Sequence, residues 1–267
     1  MLKICVIPAD ISYADVENNL ISTAHKLNQV EPDTDIVVLP ELFTTSFVPD
    51  AGTVAAIAET NNGHTVESLK RWTQYFGFAI AGSFLATDGR GNYFNRAFFV
   101  EPMGDVTFTD KRHLFPLSNE HTVYKASQEL PKNIRFRGWN IRLIVCFDLR
   151  FPVWMRNSHD DLYDLLLVPS NWPVSREKPY KLLLAARAIE NQAYTVGANR
   201  TGTDKFGEYP TGISSVFDYL GEEIRETRRN GDIYALLDLD ALKESRKRFP
   251  FYQAADRFSV ELPTSAI

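Results

Sequence analysis

Asp35-Ile36-Val37-Val38-Leu39-Pro40-Glu41-Leu42-Phe43 is the stretch on which the fold turns. Its four consecutive apolar residues, three of them β-branched, read as a short strand buried on at least one face. Toward the N-terminus, Val16, Leu20, Ala24 and Leu27 recur at spacings of four, four and three, a helical pattern, and before them residues 4–8 form another apolar run. Strand, helix, strand is the opening unit. Toward the C-terminus, Val66, Leu69, Trp72 and Phe76 give a second helix. A third, from about 179 to 192, places Leu182, Ala186, Ile189 and Ala193 on one face. Further strand-like runs cover residues 78–85, 97–100, 141–147, 165–168, 194–198, 214–217 and 233–237. Asp88-Gly89-Arg90-Gly91-Asn92 and Met103-Gly104-Asp105 look like turns that join neighbouring strands directly, which implies antiparallel pairing. The pattern is α/β with mixed sheets. Two sheets face to face with helices outside would bury all these runs. A two-layer open sheet would also do so, and periodicity does not separate the two.

No repeat, low-complexity tract or Pro/Ser-rich linker divides the 267 residues, so residues 1–267 read as one domain. A chain of this length can bury a large core without a disulfide or a metal. The net charge of −5 argues against nucleic acid as a partner, which calls for clustered Lys and Arg. No apolar window is long enough to span a membrane. The run from Met1 to Ile7 is too short for a signal peptide. Only Cys5 and Cys146 are present; a disulfide between them is conceivable, but so sparse a count suits the cytoplasm.

Three residues invite a chemical reading. Cys146, in Val145-Cys146-Phe147-Asp148-Leu149-Arg150-Phe151-Pro152, stands where a strand gives way to a turn, and a positive backbone field there would favour thiolate. Glu41 follows a buried strand at the edge of the core, where a carboxylate can serve as a general base. Lys111, in Asp110-Lys111-Arg112-His113-Leu114-Phe115, ends an alternating strand, and a buried ammonium beside a thiol could hold an oxyanion. Alone, each admits a plain reading as a core cysteine, a surface glutamate or a solvent-facing lysine. No phosphate loop or dinucleotide Gly-x-Gly-x-x-Gly string is present, so no cofactor is implied. His25, His64, His113, His121 and His159 are scattered without metal-ligand spacing, so no metal is expected.

Pro40-Glu41, then Asp110-Lys111-Arg112-His113-Leu114-Phe115, then Cys146-Phe147-Asp148-Leu149-Arg150-Phe151-Pro152, in that order, resembles the nitrilase (carbon–nitrogen hydrolase) superfamily. The likeness continues through Asn119-Glu120-His121, Asn171-Trp172-Pro173, the segment Arg187 to Gln192, Gly197-Ala198-Asn199-Arg200, Gly212-Ile213-Ser214 and Phe249-Pro250, almost the whole chain. It is strongest to the omega-amidase branch, as in Ser170-Asn171-Trp172-Pro173. The resemblance implies a four-layer α-β-β-α sandwich and a Glu41–Lys111–Cys146 set. These would hydrolyse a terminal carboxamide through a thioester, on 2-oxo dicarboxylate monoamides such as 2-oxoglutaramate and 2-oxosuccinamate. Sibling activities on an N-carbamoyl compound, a nitrile or a deaminated peptide would use the same three residues.

By the same resemblance Glu120 orients Lys111, in preference to Asp110, and the Phe147 N–H shares the oxyanion. Asn171, Trp172, Phe43 and Phe47 are expected to line or close the pocket. Arg150 is expected either to pair with an acid behind the cysteine bend or to meet a substrate carboxylate. The resemblance also implies a homodimer or higher homo-oligomer. The aromatic tail from about 248 (Arg248-Phe249-Pro250-Phe251-Tyr252, then Phe258) would pack across the interface or fold back on its own subunit. Two positions depart from the pattern: Ser127 where relatives commonly have Gly, and Tyr219 where Pro is frequent.

Overall fold

The computed structural model describes residues 1–158 and 160–262. The first part of the chain forms β1 (Leu2–Val6), α1 (Val16–Leu27), β2 (Ile36–Val38), α2 (Ala51–Ile57), α3 (His64–Phe76), β3 (Ala79–Thr87), β4 (Tyr93–Val100) and β5 (Val106–Asp110). There follow α4 (Glu120–Val123), β6 (Ile134–Phe136), β7 (Trp139–Leu143), β8 (Leu165–Ser170), α5 (Glu177–Asn191) and β9 (Tyr194–Asn199). The last part holds β10 (Gly202–Asp204), β11 (Gly207–Tyr209), β12 (Ser215–Phe217), β13 (Glu226–Thr227), β14 (Ile233–Leu237) and α6 (Leu239–Arg248).

One sheet runs β13-β14-β1-β2-β3-β4-β5 and the other β12-β9-β8-β7-β6, with β10-β11 a separate ribbon. Both are mixed. The triplets β1-β2-β3 and β7-β8-β9 are parallel, and the flanking strands antiparallel, including the two hairpins that the Gly-rich turns implied. The twofold period of a strand explains how the layers stack. Ile4, Val6, Ile36, Val38, Ala79, Ala81, Ala97 and Phe99 face the second sheet and share one core with Ile141, Leu143, Leu165 and Leu167. The alternate residues Cys5, Ile7, Val37, Leu39, Ile80 and Phe98 face the other way and pack beneath Leu20 and Leu27 of α1 and Val66 and Leu69 of α3. This is the four-layer sandwich, with two sheets inside and helices outside.

The third predicted helix forms, but its buried face is not the aliphatic one. Tyr180, Leu184, Arg187, Ala188 and Asn191 of α5 turn inward, while Leu182 and Ile189 are 61% and 54% exposed. The reason is polar: Thr195 Oγ1 donates to the Leu184 carbonyl, and Arg187 Nη2 donates to the Leu149 carbonyl. Gly197 of β9 lets α5 come close, since a Cβ there would lie 2.5 Å from both Leu184 Cδ1 and Tyr180 Oη. Cys5 and Cys146 are both free and buried, so no disulfide joins them. Of the C-terminal segment, Val260 and Leu262 pack back on the core, whereas Phe249, Phe251 and Phe258 stay exposed.

Candidate active site

Glu41, Lys111 and Cys146 come together at one end of the sandwich, all buried and all lining one cavity of about 210 Å³. The cavity lies beyond the carboxyl ends of the parallel strands β2, β7 and β8, the usual place for a ligand in an α/β sheet. Local chain geometry puts each group there. After β2 the backbone continues along β3: Leu39 N–H donates to the Ala81 carbonyl, Leu42 N–H to Ser83 Oγ and Phe43 N–H to the Ser83 carbonyl. Leu42 takes a left-handed conformation (φ 49°), which lets Glu41 turn into the cavity while Leu42 itself stays in the core.

Cys146 is also left-handed (φ 47°), at the point where the chain leaves β7 and tightens into the 3-10 turn Cys146–Arg150. A non-glycine residue held there is strained, and such strain collects at functional sites. Asp148 fastens the turn. It accepts from Val145 N–H at 3.1 Å, and it receives the His113 N–H at 2.8 Å and His113 Nδ1 at 2.8 Å. A single buried carboxylate thus ties the lysine segment to the cysteine turn. Arg187 supports the turn from behind, donating Nε and Nη2 to the Leu149 carbonyl.

Lys111 Nζ lies 2.9 Å from Glu41 Oε1 and 2.9 Å from both oxygens of Glu120. Glu120 also accepts the Phe115 N–H at 2.6 Å, whereas Asp110 points away and binds Arg96. Burial on its own depresses the ammonium of Lys111. The carboxylates of Glu120 and Glu41 more than reverse this and hold it well above its ordinary value. Burial likewise leaves Glu120 above the usual carboxylate range despite the pull of Lys111. The Cys146 thiol is pushed well up, first by burial and then by the adjacent Glu41, to which it hydrogen-bonds; Lys111 and the Asn171 N–H act the other way. The positive backbone field at the turn, read from the sequence as favouring thiolate, is thus outweighed by burial and Glu41.

Asn95 escaped the sequence reading. Its Nδ2 donates to Glu41 Oε1 at 2.7 Å and its carbonyl accepts the Lys111 N–H at 2.9 Å, so one residue of β4 places both groups. The available signal was periodicity, because Asn95 shares the inward face with Ala97 and Phe99 and is a polar residue in an apolar row. Phe47, Phe147, Asn171 and Trp172 line the cavity. Asn199 fixes Trp172, accepting its N–H at 2.7 Å and donating to its carbonyl at 2.9 Å. Phe43 does not reach the cavity. It lies in the helix-facing core against Phe98, with ring centroids 5.7 Å apart, because Leu42 and Phe43 both follow the inward turn at Glu41. Among the described residues Arg150 makes no ion pair behind the bend, where Arg187 acts instead; it lines the cavity with its guanidinium 4.8 Å over Trp172. Ser127 needs no left-handed turn: its N–H donates to the Lys111 carbonyl and its hydroxyl to the Glu129 carbonyl. Tyr219 packs edge-on against Tyr194.

Among the described residues no group of three or more His, Cys, Asp or Glu could hold a metal ion, and no helix is long and apolar enough to cross a membrane. His159 lies outside the described residues.

The carbon-nitrogen hydrolase family model matches residues 3–247. The chain is 39% identical to Omega-amidase YafV of Yersinia enterocolitica and 41% identical to Omega-amidase YafV of Escherichia coli K12, in each case over 96% of this chain and 98% of the relative. It is 29% identical to a 2-oxoglutaramate amidase of Bacillus subtilis, over 91% of this chain and 93% of that one. Among solved structures, a CN-hydrolase superfamily protein of Xanthomonas campestris with an arsenic adduct in its active site superposes with a TM-score of 0.89. It is 35% identical, covering 97% of this chain and 99% of that one. With a family match over nearly its whole length and the fold of a solved member, the chain belongs to the carbon-nitrogen hydrolase family.

Proposed function

We propose that this protein hydrolyses the terminal carboxamide of 2-oxo dicarboxylate monoamides, releasing ammonia, with Cys146 as nucleophile. The observation that carries the reading is the convergence of a buried thiol, a carboxylate and an ammonium on one small cavity, in a chain similar to omega-amidases over 96% of its length.

Glu41 takes the thiol proton as sulfur attacks the amide carbon, since a protonated sulfur is a poor nucleophile. The oxyanion lies between the Lys111 ammonium and the Phe147 N–H, an early donor of the 3-10 turn with no acceptor inside that turn. Glu120 orients Lys111 and offsets its charge. The protonated Glu41 then donates to the leaving nitrogen, and C–N cleavage expels ammonia to leave a thioester on Cys146. A water, deprotonated by the same carboxylate, adds to the thioester; its collapse returns the proton to sulfur and frees the carboxylate product. Asn171 and Trp172 wall the site, and Arg150 at the rim meets the anionic end of the substrate.

Ammonia release from 2-oxoglutaramate, measured beside an N-carbamoyl amino acid and a nitrile, tests the substrate class. Preference for 2-oxoglutaramate is expected, and preference for either of the others contradicts it. We also read the protein as cytoplasmic and as a homodimer or higher homo-oligomer. The outward apolar face of α5, with Leu182 and Ile189, and the exposed Phe249 and Phe251 are the surface that a second copy would cover.

A further inference from the structure

Most charges around the catalytic cavity are matched. Lys111 is held between Glu41 and Glu120, and Asp204 accepts from the buried Arg200 at 2.8 Å. Arg150 and Arg176 are the exceptions: both line the cavity, and neither meets a carboxylate among the described residues. Each rests instead on an aromatic ring, Arg150 at 4.8 Å over Trp172 and Arg176 at 4.8 Å over Phe115. A guanidinium held by a ring is positioned without using up its N–H donors.

The ring under Arg176 is itself fixed by the catalytic set. Phe115 donates its N–H to Glu120 and packs edge-on against Phe147, with centroids 5.1 Å apart. Arg176 is half-buried, and its own N–H donates to the Pro173 carbonyl, so its backbone is anchored at the start of α5. The catalytic heart sets two carboxylates against one ammonium, a balance that repels an anionic substrate unless cations elsewhere hold it. A cavity of about 210 Å³ admits one small linear molecule, and Cys146 and both arginines line it, so an amide bound at Cys146 can direct its other end toward the arginines.

We propose that Arg176, which no sequence motif singled out, is a specificity-determining residue that together with Arg150 binds the free carboxylate of the substrate. The proposal rests on the monoamide reading and deepens it: planar, forked donors suit a carboxylate, and a neutral amide gains nothing from them.

R176Q and R176K, compared with the unaltered protein, provide the test. On 2-oxoglutaramate, R176Q is expected to raise KM roughly 10- to 100-fold while kcat stays within about twofold, with partial recovery in R176K. Glutarate, a dicarboxylate without an amide, is expected to protect Cys146 from iodoacetamide, and R176Q weakens that protection by a similar factor. The rate of alkylation without glutarate stays unchanged, because the reagent is neutral and the site intact. A loss confined to kcat, or unchanged protection by glutarate in R176Q, overturns the proposal. Faster turnover of a carbamoyl or nitrile substrate by the unaltered protein would instead overturn the monoamide reading, while the glutarate measurement still decides whether Arg176 binds a carboxylate.

Discussion

Burial holds the Cys146 thiol well above its ordinary value, and the neighbouring Glu41 raises it further, which favours the protonated form. On the proposed mechanism, sulfur then reacts only when a substrate and the base act together. In E41Q the base is gone while burial, the larger cause, remains. The sign then follows: below a raised thiol pKa the thiolate fraction grows tenfold per pH unit. Alkylation of Cys146 by iodoacetamide in E41Q is expected to rise with unit slope from about pH 6 to pH 9. A plateau below about pH 8 would show a thiolate stabilised by something other than Glu41. Lys111→Met, which removes a candidate oxyanion donor of similar length, is expected to lower kcat by about a hundred- to a thousandfold, as read from ammonia release. At this scale the sequence was readable where the surrounding motif is specific, as for Glu41, Lys111, Cys146 and Glu120. It was not readable where a side chain's direction depends on backbone dihedrals. Leu42 at φ 49° sends Phe43 into the helix-facing core rather than the cavity, and no spacing rule foretells that turn.

Apolar runs located the buried strands because both sheets are covered on both faces and most core strands are nearly all apolar. The short ribbon β10-β11, the two-residue β13 and the helix α6 have no such signature. α6 in particular is mostly charged, with only Leu242 and Arg246 buried. α5 shows a different limit. Its aliphatic stripe suggested the core-facing side, yet hydrogen bonds from Thr195 to the Leu184 carbonyl and from Arg187 to the cysteine turn decide its rotation. Gly197→Ala tests that packing, because the new methyl group would meet Leu184 and Tyr180 at 2.5 Å. The variant is expected to lose roughly 1–3 kcal/mol in urea unfolding, with kcat/KM reduced through the displaced Tyr180–Trp172 contact. An unchanged unfolding midpoint would mean that α5 yields without strain.

Over the whole molecule, the sandwich brings into one cavity groups that lie up to 105 residues apart, from Glu41 to Cys146, each placed just beyond a strand end. Its outer layers leave apolar side chains of α5 and the C-terminal segment uncovered, so light scattering at micromolar concentration is expected to give a mass of at least twice 30.4 kDa. A monomer would remove the self-association reading without touching the chemistry. The chemistry is tested most directly by rapid acid quenching of the protein during turnover of 2-oxoglutaramate, followed by peptide mass analysis. The account predicts an acyl group on the peptide that contains Cys146 and none in C146A, which also loses turnover. Continued ammonia release by C146A, or an adduct on another residue, would contradict it.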